Sequence, residues 1–149
     1  MQPSSKPSPD SAVLLIPNDR EDIERAEEML LEGMGRHGYP DAARFAVRLA
    51  LEESLVNAFR HGHKGLPADT PVKVEFAVME DRVDLAVEDQ GAGFKPEDVP
   101  DPTLDENIER PTGRGLLLMR AYMARVEYVG RGNRVEMTYK RPAKPADAV

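Results

Sequence analysis

The stretch LEESLVNAFRHGHKG, Leu51–Gly65, combines the apolar pattern of a buried helix with polar side chains that such a helix does not need for packing. Glu53 and Asn57 are four residues apart, which makes them neighbours on one helical face. Ala46 and Ala50 fall on the same stripe. Because a buried polar group costs free energy unless it has a partner, the pair either belongs to an internal polar network or faces a ligand.

Capping and breaking residues extend this helix and predict another helix before it. The segment PDAARFAVRLALEESLVNAFRHG begins with Pro40 at the first helical position and stops at Gly62. The preceding segment NDREDIERAEEMLLEGMGRHG has Asn18 or Asp19 as its N-cap, acidic residues in its first turns and an end near Gly38. The apolar run SAVLLIP in front of it predicts a first strand.

Alternation of apolar and polar residues after the second helix predicts a β-hairpin with its turn at Glu80 and Asp81. Two apolar sets would each line one face of a strand: Val72, Val74, Phe76 and Val78, then Val83, Leu85 and Val87. A helix from GRGLLLM onward and a second hairpin through Gly130–Asn133 complete the order βααββ, long loop, αββ. The predicted fold class is an α/β two-layer sandwich, a mixed, mostly antiparallel sheet with its helices on one face.

Composition limits the function and the location. The net charge of -7, without a basic stripe, argues against direct nucleic-acid binding. The chain has no cysteine, which excludes disulfides and thiolate metal sites, and no apolar run approaches the ~20 residues of a membrane span. The N-terminus lacks the pattern of a signal peptide, so we expect a cytoplasmic protein. The 149 residues suit one domain, expected at 11–140 between flexible tails at 1–10 and 141–149.

The motif EDQGAGF directly follows a predicted strand and has the chemistry of a ligand-binding turn. Asp89 can accept a hydrogen bond from an amine, and glycines at Gly91 and Gly93 let the backbone approach a flat ligand. A structureless loop of ~20 residues inside a compact domain is usually functional. The acidic, aperiodic segment after the motif therefore predicts an active-site lid at about 95–112.

Glycines open the helix that follows the predicted lid. The motif TGRGLLLM places Gly113 and Gly115 at the start of the helix, and the free N–H groups of a helix N-terminus bind phosphate. Each glycine motif alone has a simpler interpretation, because D-x-G-x-G is more often a turn and glycine begins many helices. His61 and His63 are candidate metal ligands, but no third ligand is evident, so one as a helix C-cap and the other in solvent fits better.

Together and in this order, the motifs resemble the ATP-binding domain of gyrase-type topoisomerases, a heat-shock chaperone and histidine kinases, the Bergerat-type fold. The resemblance covers residues 12–140. Within that superfamily, the forms NAFRHG and GRGLLLM are most similar to the anti-sigma-factor serine kinases. The resemblance implies a bacterial switch protein that uses ATP and Mg²⁺, binds a sigma factor and phosphorylates an anti-anti-sigma protein on serine. It is also compatible with a homodimer.

The resemblance implies a role for each motif residue. Glu53 would be the catalytic general base, Asn57 the Mg²⁺ ligand, and Asp89 the acceptor for the adenine amine. The remaining implied nucleotide contacts are Gly91 and Gly93 along the base and ribose, and Gly113, Arg114, Gly115, Arg60 and His61 around the phosphates. An alternative is an ATP-binding module that sequesters a regulatory partner without phosphorylating it. The presence of Glu53 beside Asn57 favours the kinase, since a pure binder would not need the base.

Overall fold

The computed structural model describes residues 10–93 and 119–142, where one sheet is covered by helices. The elements are β1 (Ser11–Ile16), α1 (Arg20–Arg36), α2 (Asp41–Asn57), β2 (Val72–Val78), β3 (Arg82–Glu88), β4 (Arg125–Val129) and β5 (Arg134–Lys140). A π-helical turn, Ala58–Gly62, continues α2. The predicted lid at 95–112 and the phosphate motif Gly113, Arg114 and Gly115 lie outside the described residues, as do 1–9 and 143–149.

The five strands of the described residues form one sheet in the order β1-β2-β3-β5-β4, and each neighbouring pair is antiparallel. Both predicted hairpins are present, with Val78 opposite Val83 in the first and Val129 opposite Arg134 in the second. Because β5 inserts between β3 and β4, the turn that precedes β5 lies beside the end of β3. The loop after β3 and the turn between β4 and β5 are far apart in the sequence but therefore lie side by side.

Helix α1 begins and ends where its sequence predicts. Asp19 is the N-cap, and its carboxylate accepts a hydrogen bond from the Glu21 N–H at 2.9 Å. The helix ends at the cap residue His37, and Gly38 follows with a φ of 71°. Positive φ is a conformation that glycine adopts without steric cost.

Helix α2 departs from its prediction at both ends. Pro40 is the N-cap in extended conformation, with ψ of 166°, and not the first helical residue, which is Asp41. The helical path does stop at Gly62, but α-helical hydrogen bonding ends at Asn57 and the last turn is wider. The His63 N–H donates to the Ala58 carbonyl at 2.9 Å, a bond that spans five residues. Single π-helical turns of this kind are frequent at functional sites.

The helices α1 and α2 cover one face of the sheet, as predicted. The alternating residues of β2 and β3 point to this side and form the core with helix residues such as Leu30, Leu51 and Leu55. The opposite face is polar, where Arg134 pairs with carboxylates on three strands: Glu136 on β5 itself, Glu88 on β3 and Glu75 on β2. No helix in the described parts of the chain has both the length and the apolar character to cross a membrane.

The folded unit includes two residues that the sequence analysis assigned to the tails. The Asp10 carboxylate contacts Arg36 Nε at 2.6 Å and His37 Nε2 at 2.8 Å. Arg141 donates to the His37 carbonyl at 2.7 Å and lies over the Tyr39 ring, 4.5 Å from its centroid. Both residues therefore help to anchor the end of α1 beside the sheet.

Candidate functional site

The end of α2 presents a polar oxygen that the described residues leave without a hydrogen-bond partner. Asn57 is partly buried, and its Oδ1 atom is shielded from solvent without a hydrogen-bond partner among the described residues. A buried acceptor that lacks a donor costs about 1–3 kcal/mol. An amide oxygen in this state suits a hard cation such as Mg²⁺ or a bound ligand donor. Among the described residues, Asn57 Oδ1 therefore belongs to no internal hydrogen-bond network.

The adjacent glutamates of α2 have different surroundings. The Glu52 carboxylate lies 2.6 Å from Arg20 Nη2, an ion pair that joins α2 to α1. Glu53 has no ion-pair partner among the described residues. Burial raises the pKa of the Glu53 carboxyl, and the nearby charge of Glu52 raises it further. A carboxylate with a raised pKa is a stronger base at neutral pH, so Glu53 is the member of the pair that fits proton transfer.

The loop after β3 is held in a fixed turn. Asp89 Oδ1 accepts a hydrogen bond from the Gly91 N–H at 2.8 Å. The backbone of Asp89 is bonded twice to Asn133, because its N–H donates to the Asn133 carbonyl and its carbonyl accepts from Asn133 Nδ2. Burial raises the pKa of the Asp89 carboxyl, and the bond from Gly91 opposes this shift. The described residues give Oδ2 no hydrogen bond, which suits an incoming amine.

Three glycines allow close backbone packing at this loop. A Cβ atom at Gly62 would lie 2.3 Å from the Asp89 carboxylate, and one at Gly91 would lie 1.9 Å from the Gly62 carbonyl oxygen. Gly93 has a φ of 82°, and its Cβ would meet the Arg131 carbonyl oxygen at 2.0 Å. Gly91 and Gly93 are thus required by the packing of the protein on itself. That they also lie along a base and ribose stays a prediction.

The two histidines after α2 differ in exposure. His61 and Arg60 are exposed on the π-helical turn, whereas His63 is the C-cap of that turn and is buried. The predicted assignment of one histidine as a cap and the other to solvent is confirmed. His63 Nε2 accepts a hydrogen bond from the Gln90 N–H at 3.0 Å, and its ring meets Phe59 edge-to-face. Within the described ranges, no group of three or more His, Cys, Asp or Glu could hold a metal ion.

Gly62, the His63 ring and Asn133 belong to the site but were not predicted for it. Gly62 was expected only to stop a helix, and Asn133 only to form part of a hairpin turn. The antiparallel pairing of Glu88 with Arg134 puts the residue after Glu88 beside the residue before Arg134, which explains the contact between Asp89 and Asn133. The sequence would have given this contact only if the pairing of β3 with β5 had been known.

The site therefore has two parts that meet at the π-helical turn. One is the end of α2, where Asn57 Oδ1 has no hydrogen-bond partner and Glu53 no ion-pair partner among the described residues. The other is the loop of residues 89–93, here called the acceptor loop. A family model described as a histidine kinase-like ATPase domain matches residues 16–139. The chain belongs to this family, which confirms the resemblance drawn from the motifs.

Several curated relatives bear the name Serine-protein kinase RsbW. The protein from Bacillus pumilus is 34% identical over 99 residues, which cover 62% of this chain and 61% of the relative. The protein from Bacillus licheniformis is 34% identical over 101 residues, 62% of each chain. The protein from Listeria monocytogenes is 29% identical over 136 residues, 87% of this chain and 86% of the relative. The match thus spans about three fifths of the Bacillus relatives and most of the Listeria one.

Proposed function

We propose that this chain is a serine/threonine protein kinase of the anti-sigma-factor type, dependent on ATP and Mg²⁺. It would bind a sigma factor and phosphorylate an anti-anti-sigma protein in a bacterial partner-switching pathway, in the cytoplasm. The observation that carries the proposal is the buried Oδ1 of Asn57, which lies one helical turn beyond Glu53 and has no hydrogen-bond partner in the part of the chain that the structure describes. The serine-kinase names of the relatives support phosphoryl transfer to a protein hydroxyl.

The proposed substrate complex uses both parts of the site. Asp89 accepts a hydrogen bond from the exocyclic amine of adenine, and Asn57 supplies an oxygen ligand for Mg²⁺. The ion, when bound, neutralises charge on the ATP phosphates. Arg60 and His61 are exposed on the turn next to Asn57, which suits a position beside the phosphates. Gly113, Arg114 and Gly115 lie outside the described residues, and their phosphate contacts stay a prediction.

Glu53 is the proposed general base of phosphoryl transfer. Its carboxylate takes the proton of the substrate serine hydroxyl while the hydroxyl oxygen attacks the γ-phosphorus, and ADP leaves with the electron pair of the broken P–O bond. The absence of an ion-pair partner within the described residues leaves the carboxylate able to accept this proton. General-base catalysis contributes about 10²–10⁴-fold to the rate.

The test is phosphorylation by the purified protein. The chain is incubated with Mg²⁺-ATP and the proteins encoded beside it in its genome, and mass spectrometry detects phosphoserine. The variant Glu53→Gln should lose about 10²–10⁴-fold in rate while it still binds ATP. Glu28→Gln is the matched control, because Glu28 is an exposed glutamate of α1 that is not a residue of the candidate site, and the variant should retain full activity. ATP binding with no transfer to any candidate would instead favour the sequestering module.

A further inference from the structure

One hydrogen bond connects the turn after α2 with the backbone of the acceptor loop. His63 Nε2 accepts from the N–H of Gln90, the residue between Asp89 and Gly91. Since this nitrogen accepts, the imidazole is neutral in this arrangement and carries its proton on Nδ1. The imidazole is only 7% exposed and is oriented by Phe59, whose ring centroid lies 5.7 Å away. The acceptor therefore has little freedom to move.

Gln90 is held a second time through its side chain, because Gln90 Nε2 donates to the Pro71 carbonyl at 2.9 Å. The residue before it is bound by Asn133, and the residue after it closes the turn onto the Asp89 carboxylate. The Gln90 N–H itself donates to His63 Nε2, and the carbonyl of the same peptide group accepts from Asn133 Nδ2. A rotation of the peptide group between Asp89 and Gln90 would break both bonds and loosen the turn that the Gly91 N–H closes onto the Asp89 carboxylate.

We propose that His63 is a positioning residue for base recognition: it holds the Asp89–Gly91 turn so that the carboxylate faces the adenine amine. This inference rests on the proposed ATP site. His63 itself touches neither the nucleotide nor the reacting atoms. The alternative is a buried histidine that contributes only to packing, in which case the shape of the ring matters and the acceptor nitrogen does not.

Three substitutions of His63 distinguish the effect of its acceptor nitrogen from the effect of its ring. His63→Phe retains the ring and removes the acceptor. His63→Gln places an amide oxygen close to the position of Nε2, whereas His63→Asn places it close to the position of Nδ1. ATP affinity measured by calorimetry should fall roughly 10-fold in the Phe and Asn variants and stay within about 3-fold of wild type in the Gln variant. The preference for ATP over GTP should narrow in parallel.

The same variants predict a split in the kinetic constants. Because Glu53 and Asn57 are unchanged, the KM for ATP should rise in the Phe and Asn variants while kcat at saturating ATP stays near wild type. Equal ATP affinity in all four proteins would overturn the proposal, as would an equal loss in all three variants. If the Phe variant does not fold in a thermal melt, the Gln and Asn pair decides in the same way.

Amide hydrogen exchange at Gln90 tests the inference without any nucleotide. The N–H should exchange slowly in wild type and in the Gln variant, and faster in the Phe and Asn variants. A wild type that binds no ATP would refute the proposed function, yet this exchange pattern would still support the role of His63 in holding the loop. Identical exchange at Gln90 in all four proteins would refute that role even if ATP binds.

Discussion

A single methyl group added at Gly62 should separate base recognition from folding. In the substitution Gly62→Ala, the new Cβ would lie 2.3 Å from the Asp89 Cγ and Oδ2 atoms and 2.7 Å from Oδ1. Ordinary van der Waals contact begins at 3.4 Å, so the carboxylate must move by about 1.1 Å, the difference between 3.4 and 2.3 Å. Gly62 does not have a positive φ, so alanine adds no backbone strain there.

A shift of this size would break the hydrogen bond that closes the turn of the acceptor loop. The bond from the Gly91 N–H to Asp89 Oδ1 measures 2.8 Å and would be lost, and the carboxylate would no longer meet the adenine amine. Hydrogen bonds to charged groups contribute about 1.5–3 kcal/mol each. The ATP dissociation constant should therefore rise roughly 10–100-fold in calorimetric titration, and the melting temperature should change far less than expected for a core mutation.

Gly35→Ala is the matched control for this substitution. Gly35 lies within α1, and a Cβ there would meet nothing within 4 Å. Alanine is favoured over glycine inside a helix by about 1 kcal/mol, so this variant should be slightly stabilised and bind ATP like wild type. A Gly62→Ala protein with wild-type ATP affinity would show that the Asp89 carboxylate does not need its present position and would refute the reasoning.

Three further predictions concern other groups. Asn57→Ala should weaken ATP binding measured with Mg²⁺ but leave binding measured in EDTA unchanged; equal losses in both titrations would exclude Asn57 as the metal ligand. Wild type should bind ATP at least about ten-fold better than GTP, and Asp89→Asn should narrow that ratio, because an amide offers both a donor and an acceptor to the base. Burial, together with Glu52, raises the pKa of Glu27 from 4.5 to about 7, so the folded state holds a proton that the unfolded state has released in this range. Stability should therefore fall as the pH rises from 4.5 to 7, and Glu27→Gln should flatten that part of the melting-temperature profile; an unchanged profile would contradict the assignment.

The secondary structure could be predicted because each element has a local cause. The strands β2 and β3 alternate apolar and polar residues since one face meets the helices, and the valines predicted to share that face are buried. The cap of α1 at Asp19 needs only residues in its first turn. The strand order was not accessible in this way, because the insertion of β5 between β3 and β4 depends on pairing between distant segments.

The candidate site likewise has one part that local sequence predicts and another part that depends on contacts between distant segments. Helical spacing alone places Glu53 and Asn57 on one face, and an aspartate after a strand with glycines beyond it suggests a ligand turn. The contacts of Gly62 and His63 arise when the loop after β3 packs on the turn after α2, which no local pattern specifies. That Asn57 Oδ1 is buried without a hydrogen-bond partner in residues 10–93 and 119–142 likewise depends on the folded arrangement.

These contacts give a physical reason why the motifs are more specific together than apart. Gly62 is the fifth residue after Asn57, and the π-helical turn that contains it places the glycine against the Asp89 carboxylate. A side chain at Gly62 would displace that carboxylate, and one at Gly91 would collide with the Gly62 carbonyl oxygen. The turn after α2 and the D-x-G-x-G loop thus restrict each other's side chains, because their backbones are in contact at Gly62 and Gly91. A D-x-G-x-G sequence without a glycine five residues beyond the helical asparagine would lack this contact, and the motif alone would then indicate only a turn.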